Sequence, residues 1–133
     1  YMQNRLPVNS KIAIKLNGNR DIKIQGDWIL VSWAIENVLK NAIDAIGIGE
    51  GNITMNLISE KQYSSILITD SGKGIPRKDW KNIFRPGFSS KHRSWGLGLS
   101  LAMRIIKEIH KGNIRVSRSN PGETMFQIKL PIK

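Results

Sequence analysis

Cysteine is absent from this chain, so no disulfide or thiolate-held metal can stabilise it, and the redox compartment stays open. No apolar run approaches the roughly 18 residues that a membrane span requires. No signal-peptide pattern opens the chain, and it holds neither internal repeats nor low-complexity tracts. Acidic residues are scarce: ten Asp and Glu face twenty-one Lys and Arg, giving a formal net charge of +11. Such an excess first suggests nucleic acid. The cations are spread over most of the chain, however, and the aromatic-basic interleaving of common nucleic-acid modules is missing. The local excess lies between Lys73 and Arg93, where seven cations meet the single acid Asp79. A small polyanion such as a nucleoside triphosphate suits that cluster equally well.

What is present is a globular composition. With 133 residues, 40% of them hydrophobic, the chain can bury a real core as one domain. Lys11 to Leu16 and Asp21 to Gln25 alternate polar with apolar residues around Asn17-Gly18-Asn19, which predicts a hairpin. Asp27 is the expected N-cap of a long helix that Gly47, Gly49 and Gly51 end. Asn52 to Ser59 and Ser64 to Asp70 read as strands. From Ser71 to Ser94 regularity breaks, with room for one short helix near Arg77 to Asn82. A second amphipathic helix starts at Gly98 and closes at Lys111-Gly112. Strands Asn113 to Arg118 and Thr124 to Leu130 follow, joined by the turn Asn120-Pro121-Gly122. This order predicts a mixed, largely antiparallel sheet covered on one face by helices.

Four stretches carry candidate chemistry. On the long helix, Glu36, Asn37, Lys40, Asn41 and Asp44 fall within an arc of about 140°, so two carboxamides one turn apart can point at one object. A solvated polar face would look the same. Asp70-Ser71-Gly72-Lys73-Gly74-Ile75-Pro76 leaves a strand directly; its glycines let backbone approach a flat ligand, and its carboxylate can accept from an exocyclic amine. An ordinary Asp-Ser-Gly turn shares that pattern. Trp95-Gly96-Leu97-Gly98-Leu99-Ser100 opens the second helix, where free amides suit phosphate or glycine merely serves packing. Between them, Phe84 and Phe88 could pin the base of a flap from which Lys91 and Arg93 reach a terminal phosphate.

Together, in this order and spacing, these stretches resemble the N, G1, F and G2 boxes of the GHKL ATPase superfamily. Within it they are similar to the catalytic ATP-binding domain of a sensor histidine kinase, from about Lys11 to Leu130. The segment Gly122-Glu123-Thr124-Met125-Phe126 is similar to the family's Gly-x-Gly-Thr-x-Phe ending, with Glu123 in place of the second glycine. The resemblance implies an α+β fold of the Bergerat type, a two-layer sandwich with a flexible ATP lid. Residues 1–10 are then an excision edge or linker of a longer protein, and 11–133 a single ATP-binding domain.

The family's roles imply Asn41 as magnesium ligand and Asn37 as lining of the triphosphate pocket. Asp70 would receive the adenine amino group with Thr124 in support, while Gly74 and Ile75 flank the ring and Gly72 belongs to the same nucleotide-binding set. Gly96, Leu97, Gly98 and Leu99 would offer backbone to the phosphates, and Lys91 would contact the outermost one. Asp44, Phe88 and Arg93 complete the implied nucleotide-binding set; Glu36, Asn37 and Lys91 are the catalytic candidates. DNA gyrase, MutL and related chaperones place a water-activating Glu four residues before the metal-binding Asn. Here that position is Asn37, which argues against ATP hydrolysis as the main task. Glu36 either assists phosphoryl transfer or is an exposed charge paired with Lys40.

The implied ligands are ATP and Mg2+. The implied partners are a two-helix dimerisation domain bearing the phosphoacceptor His, which nothing here resembles, and a downstream response regulator. Neither nucleic acid nor membrane contact is expected, and the implied location is cytoplasmic. His110 is expected to be a structural helix end. Two other readings remain at this point: a basic nucleic-acid-binding or scaffolding domain with a degenerate nucleotide site, and an anti-sigma-type serine kinase on the same fold.

Overall fold

The computed structural model describes residues 10–19, 22–87 and 98–132. Five strands, β1 (Ser10–Gly18), β2 (Gly49–Ser59), β3 (Tyr63–Asp70), β4 (Asn113–Asn120) and β5 (Glu123–Pro131), form one sheet in the order β1-β2-β3-β5-β4. Every neighbouring pair is antiparallel except β1 with β2. Along β3 and β5 the buried side chains alternate with half-buried ones, and the register aligns Ile66 with Ile128, Ile68 with Phe126, and Asp70 with Thr124. One face of the sheet is therefore apolar and covered by helices; the other carries polar residues such as Thr54, Thr69 and Gln127.

Helix α1 (Trp28–Ile46) lies on that apolar face through Val31, Ala34, Val38, Leu39, Ala42 and Ile43. Its start follows the expected logic: the Asp27 carboxylate accepts from the amides of Ile29 and Leu30. Gly47, at φ 73°, ends it by donating its amide to Ile43. Helix α2 (Gly98–Met103) packs beside α1 and continues as a π-helical segment, Arg104–Ile109. The wider π turn brings buried His110 against the start of α1. There Nε2 accepts from the Asp27 amide at 2.9 Å, and Nδ1 donates to the Ile105 carbonyl at 2.8 Å. His110 is thus a structural helix end that ties the two helices together.

The hairpin expected from Lys11 to Gln25 does not form. Strand β1 instead pairs in parallel with β2, and α1 serves as the crossover that parallel neighbours require. Residues 22–25 are not a strand; they run past the end of the sheet, where Ser64 Oγ donates to the Lys23 carbonyl and the Gln25 amide to that of Pro131. Ile22 is buried in the core. Alternation along 11–16 reported a strand correctly, but alternation does not name its partner. Two 3-10 turns, Arg77–Asp79 and Asn82–Phe84, replace the short helix expected near Arg77 to Asn82. The second buries Phe84 edge-on against Phe126, with ring centroids 6.1 Å apart.

Candidate functional site

Asp70 ends β3 on the covered face and is almost wholly buried, at 2% exposure. Its Oδ1 accepts from the Gly72 amide at 2.8 Å. Burial pushes its carboxyl up from the ordinary 3.8 to about 6, and the Gly72 hydrogen bond offsets part of the rise. The turn that follows is held by its own backbone. Ser71 donates to the Asn52 carbonyl, Lys73 to that of Ala45, and the Gly72 carbonyl accepts from the Gly122 amide.

Glycine is required at two points of this turn. A Cβ on Gly72 would stand 2.7 Å from the backbone carbon of Ala45, so the turn and α1 meet backbone to backbone. Gly74 adopts φ +93°, and a Cβ there would lie 3.0 Å from the Asn120 carbonyl oxygen. The Ile75 peptide is clamped at both ends: its amide donates to Ser119 Oγ at 2.7 Å, and its carbonyl accepts from Trp80 Nε1 at 3.0 Å. Arg77 lies over the Trp80 ring at 4.3 Å. Ser119 Oγ is also 2.6 Å from Oγ1 of buried Thr124, the residue opposite Asp70 across the sheet.

The other side of the site is a line of residues along α1. Asn37, Asn41 and Ala45 follow at intervals of four, each step covering about 6 Å of helix axis. At one end Gly98 approaches Asn37 so closely that a Cβ would be 3.0 Å from the carboxamide oxygen. At the other end Ala45 meets Gly72. Half-buried Asn41 stands midway. The start of α2 and the Asp70 turn are thereby held about 12 Å apart along one helix edge.

The structure thus sets Asn37 against Gly98 at one end of the α1 edge and gathers Asp70, Gly72, Gly74, Ile75 and Thr124 at the other, with half-buried Asn41 between them and half-buried Leu99 following Gly98 in α2. Asp44 is exposed, one turn beyond Asn41 and near that same edge; half-buried Glu36 is turned about 100° from Asn37 around the helix. Phe88, Lys91, Arg93, Gly96 and Leu97 lie outside the described residues. Among the described residues, no group of three or more His, Cys, Asp or Glu could hold a metal. An open depression of about 370 Å³, lined by Asn52, Thr54, Thr69, Asp70, Ser71, Gly122 and Glu123, reaches Asp70 from the polar face. Neither Asn41 nor Gly98 lines it.

Sequence reasoning missed Ser119 and Trp80. No motif contains them, and Ser119 reaches the site only because of an irregularity in β4. The register slips between Val116 and Arg118, so that Ser119 rather than residue 118 faces Thr124.

Residues 26–133 match the family described as histidine kinase-, DNA gyrase B-, and HSP90-like ATPase. Sporulation kinase C of Bacillus subtilis is 33% identical over 110 residues, 83% of this chain and 25% of its own length. The sensor histidine kinase ZraS of Salmonella typhi is 36% identical over 124 residues, 92% of this chain and 26% of its own length. The chain therefore spans about a quarter of the length of the curated relatives it matches. Among solved structures, the catalytic domain of the histidine kinase ThkA superposes with a TM-score of 0.81 at 27% identity, over 91% of this chain and 80% of that one.

Proposed function

This chain belongs to the histidine kinase-, DNA gyrase B- and HSP90-like ATPase family, and from that premise we propose that it is the catalytic domain of a sensor histidine kinase. It holds Mg-ATP and presents the terminal phosphate to a histidine on a separate dimerisation domain. The observation that carries this reading is the α1 edge from Asn37 to Ala45, which meets Gly98 at one end and the Asp70 turn at the other. An edge of this length, met by glycine backbone at both ends, suits a ligand with a base at one end and phosphates at the other.

In this reading Asp70, as a carboxylate, accepts from the exocyclic amine of adenine, and the Ile75 side chain packs on the ring. The Ile75 amide is already bound to Ser119, so it does not hold the ring edge. Backbone at Gly98 and Leu99 faces the phosphates, with Asn37 beside them. Mg2+ is a hard cation that usually keeps waters and phosphate oxygens and needs few protein ligands. The Asn41 carboxamide at mid-edge fits that demand without an acidic cluster. When bound, the ion neutralises the charge on the phosphates.

Asn37 stands where the hydrolysing relatives were expected to carry a water-activating Glu, which supports transfer over hydrolysis. A response regulator is the downstream partner; ThkA, 25% identical, was solved in complex with the response regulator TrrA. The location is cytoplasmic, where ATP is supplied. Among the described residues, no helix is long and apolar enough to cross a membrane. The nucleic-acid reading gains no support from the relatives, which are named kinases. Calorimetric titration with a non-hydrolysable Mg-ATP analogue tests the proposal. Saturable binding that Asp70→Asn weakens at least about tenfold is expected, because an amide facing an amine leaves a donor unpaired. Equal binding by both proteins would defeat it.

A further inference from the structure

Ser119 belongs to no motif, yet its hydroxyl joins the Ile75 amide to the Thr124 hydroxyl. The oxygen accepts from the Ile75 amide at 2.7 Å and lies 2.6 Å from Thr124 Oγ1. A hydroxyl has one proton to give. Either oxygen of the Ser119–Thr124 pair can donate; when Ser119 gives its proton to Thr124 Oγ1, the Thr124 proton is left to point beside the Asp70 carboxylate. Thr124 and Asp70 are register partners on the same face of adjacent strands, where side chains stand about 5 Å apart.

The placement of Ser119 depends on the bulge in β4. Val116 pairs with Phe126 on the covered face, and regular pairing would set residue 118, an arginine, opposite Thr124. The extra residue moves Arg118 opposite Met125, on the other face, and brings Ser119 opposite Thr124. Arg118 then pairs with Glu123 at 3.1 Å. Bulges of this kind re-aim single side chains beside binding sites.

We propose that Ser119 is a positioning residue for base recognition. It fixes the Thr124 hydroxyl as a donor next to Asp70 as an acceptor, and it holds the Ile75 peptide whose other end Trp80 secures. An acceptor beside a donor matches the 6-amino and N1 edge of adenine and opposes the 6-oxo and N1–H edge of guanine. The inference rests on the ATP-binding reading above.

The test compares dissociation constants for Mg-ATP, Mg-GTP and inorganic tripolyphosphate, by calorimetry and competition, in wild type, Ser119→Ala, Ser119→Thr and Asp70→Asn. Ser119→Ala is expected to weaken ATP about tenfold, the scale of one lost hydrogen bond, and to narrow the ATP-to-GTP preference. Tripolyphosphate affinity should not change, and Ser119→Thr, which keeps the hydroxyl, should restore wild-type preference. A merely structural serine would instead weaken all three ligands in parallel, and that result overturns the proposal. So does a Ser119→Ala protein with unaltered ATP affinity and preference. If wild type binds no ATP, or Asp70→Asn binds it as wild type does, the ATP-binding reading has failed, and the role of Ser119 falls with it.

Discussion

Gly72 meets Ala45 without a side chain between them: a Cβ on Gly72 would lie 2.7 Å from both the backbone carbon and the Cβ of Ala45. The obstacle is largely helix backbone, which cannot rotate away as a flexible side chain would. Gly72→Ala is therefore expected to push the Asp70 turn off α1. We expect a loss of about 1–3 kcal/mol in urea unfolding and a loss of nucleotide binding larger than stability explains. Wild-type binding by this variant would separate the turn from the site.

Gly98→Ala makes the opposite case. The nearest atom to its added Cβ is the Asn37 carboxamide oxygen at 3.0 Å, the mobile end of a side chain. Stability should change by less than about 1 kcal/mol, while the displaced carboxamide weakens nucleotide binding. Thermal melts with and without Mg-ATP analogue distinguish the two effects.

Asp70 gives the site a pH dependence of definite sign. Between its ordinary value of 3.8 and its folded value of about 6, the folded chain takes up a proton that the unfolded chain does not. Its contribution to stability is therefore greatest below pH 4 and is lost as pH rises through 6, by at most ~3 kcal/mol. On the proposed ATP-binding reading, binding runs the other way, because the adenine amine pairs with the ionised carboxylate. Asp70→Asn should accordingly be the more stable protein at pH 7 and the poorer binder, and wild-type affinity should rise from pH 5 to 7. Urea titrations and calorimetry across that range check both slopes.

His110→Ala removes the acceptor of the Asp27 amide and the donor to the Ile105 carbonyl, and opens a cavity under Gly26. A destabilisation of about 2–4 kcal/mol is expected. Hydrogen exchange should increase first at the beginning of α1, since that is where the Asp27 cap is anchored.

Much of this protein could be read before its fold was known, and particular residues show why. Asp27, Gly47 and the apolar stripe of α1 act through neighbours within one or two turns, so the sequence reports them directly. The strands were legible for the same reason: period-two alternation is local, as in β5 from Thr124 to Leu130. The pairing of β1 was not. Its partner lies beyond a whole helix, and parallel registry is decided by which edge is free when the core closes. The four spaced motifs pointed to the family that residues 26–133 match, because each needs its residue types locally.

The amino-acid order by itself reported the long helix α1, the five strands of the sheet, the basic character and the residues from which ATP binding is proposed. Only the tertiary structure decided that Gly98 would pack against Asn37 and Gly72 against Ala45, two turns apart on one helix. It alone decided that Asp70 would be buried enough to hold its proton to about pH 6, and that a slipped register would carry Ser119 to Thr124. The physical reason is range. Propensity, capping and alternation act over a few neighbouring residues, whereas desolvation, close backbone approach and strand register exist only once distant segments have packed.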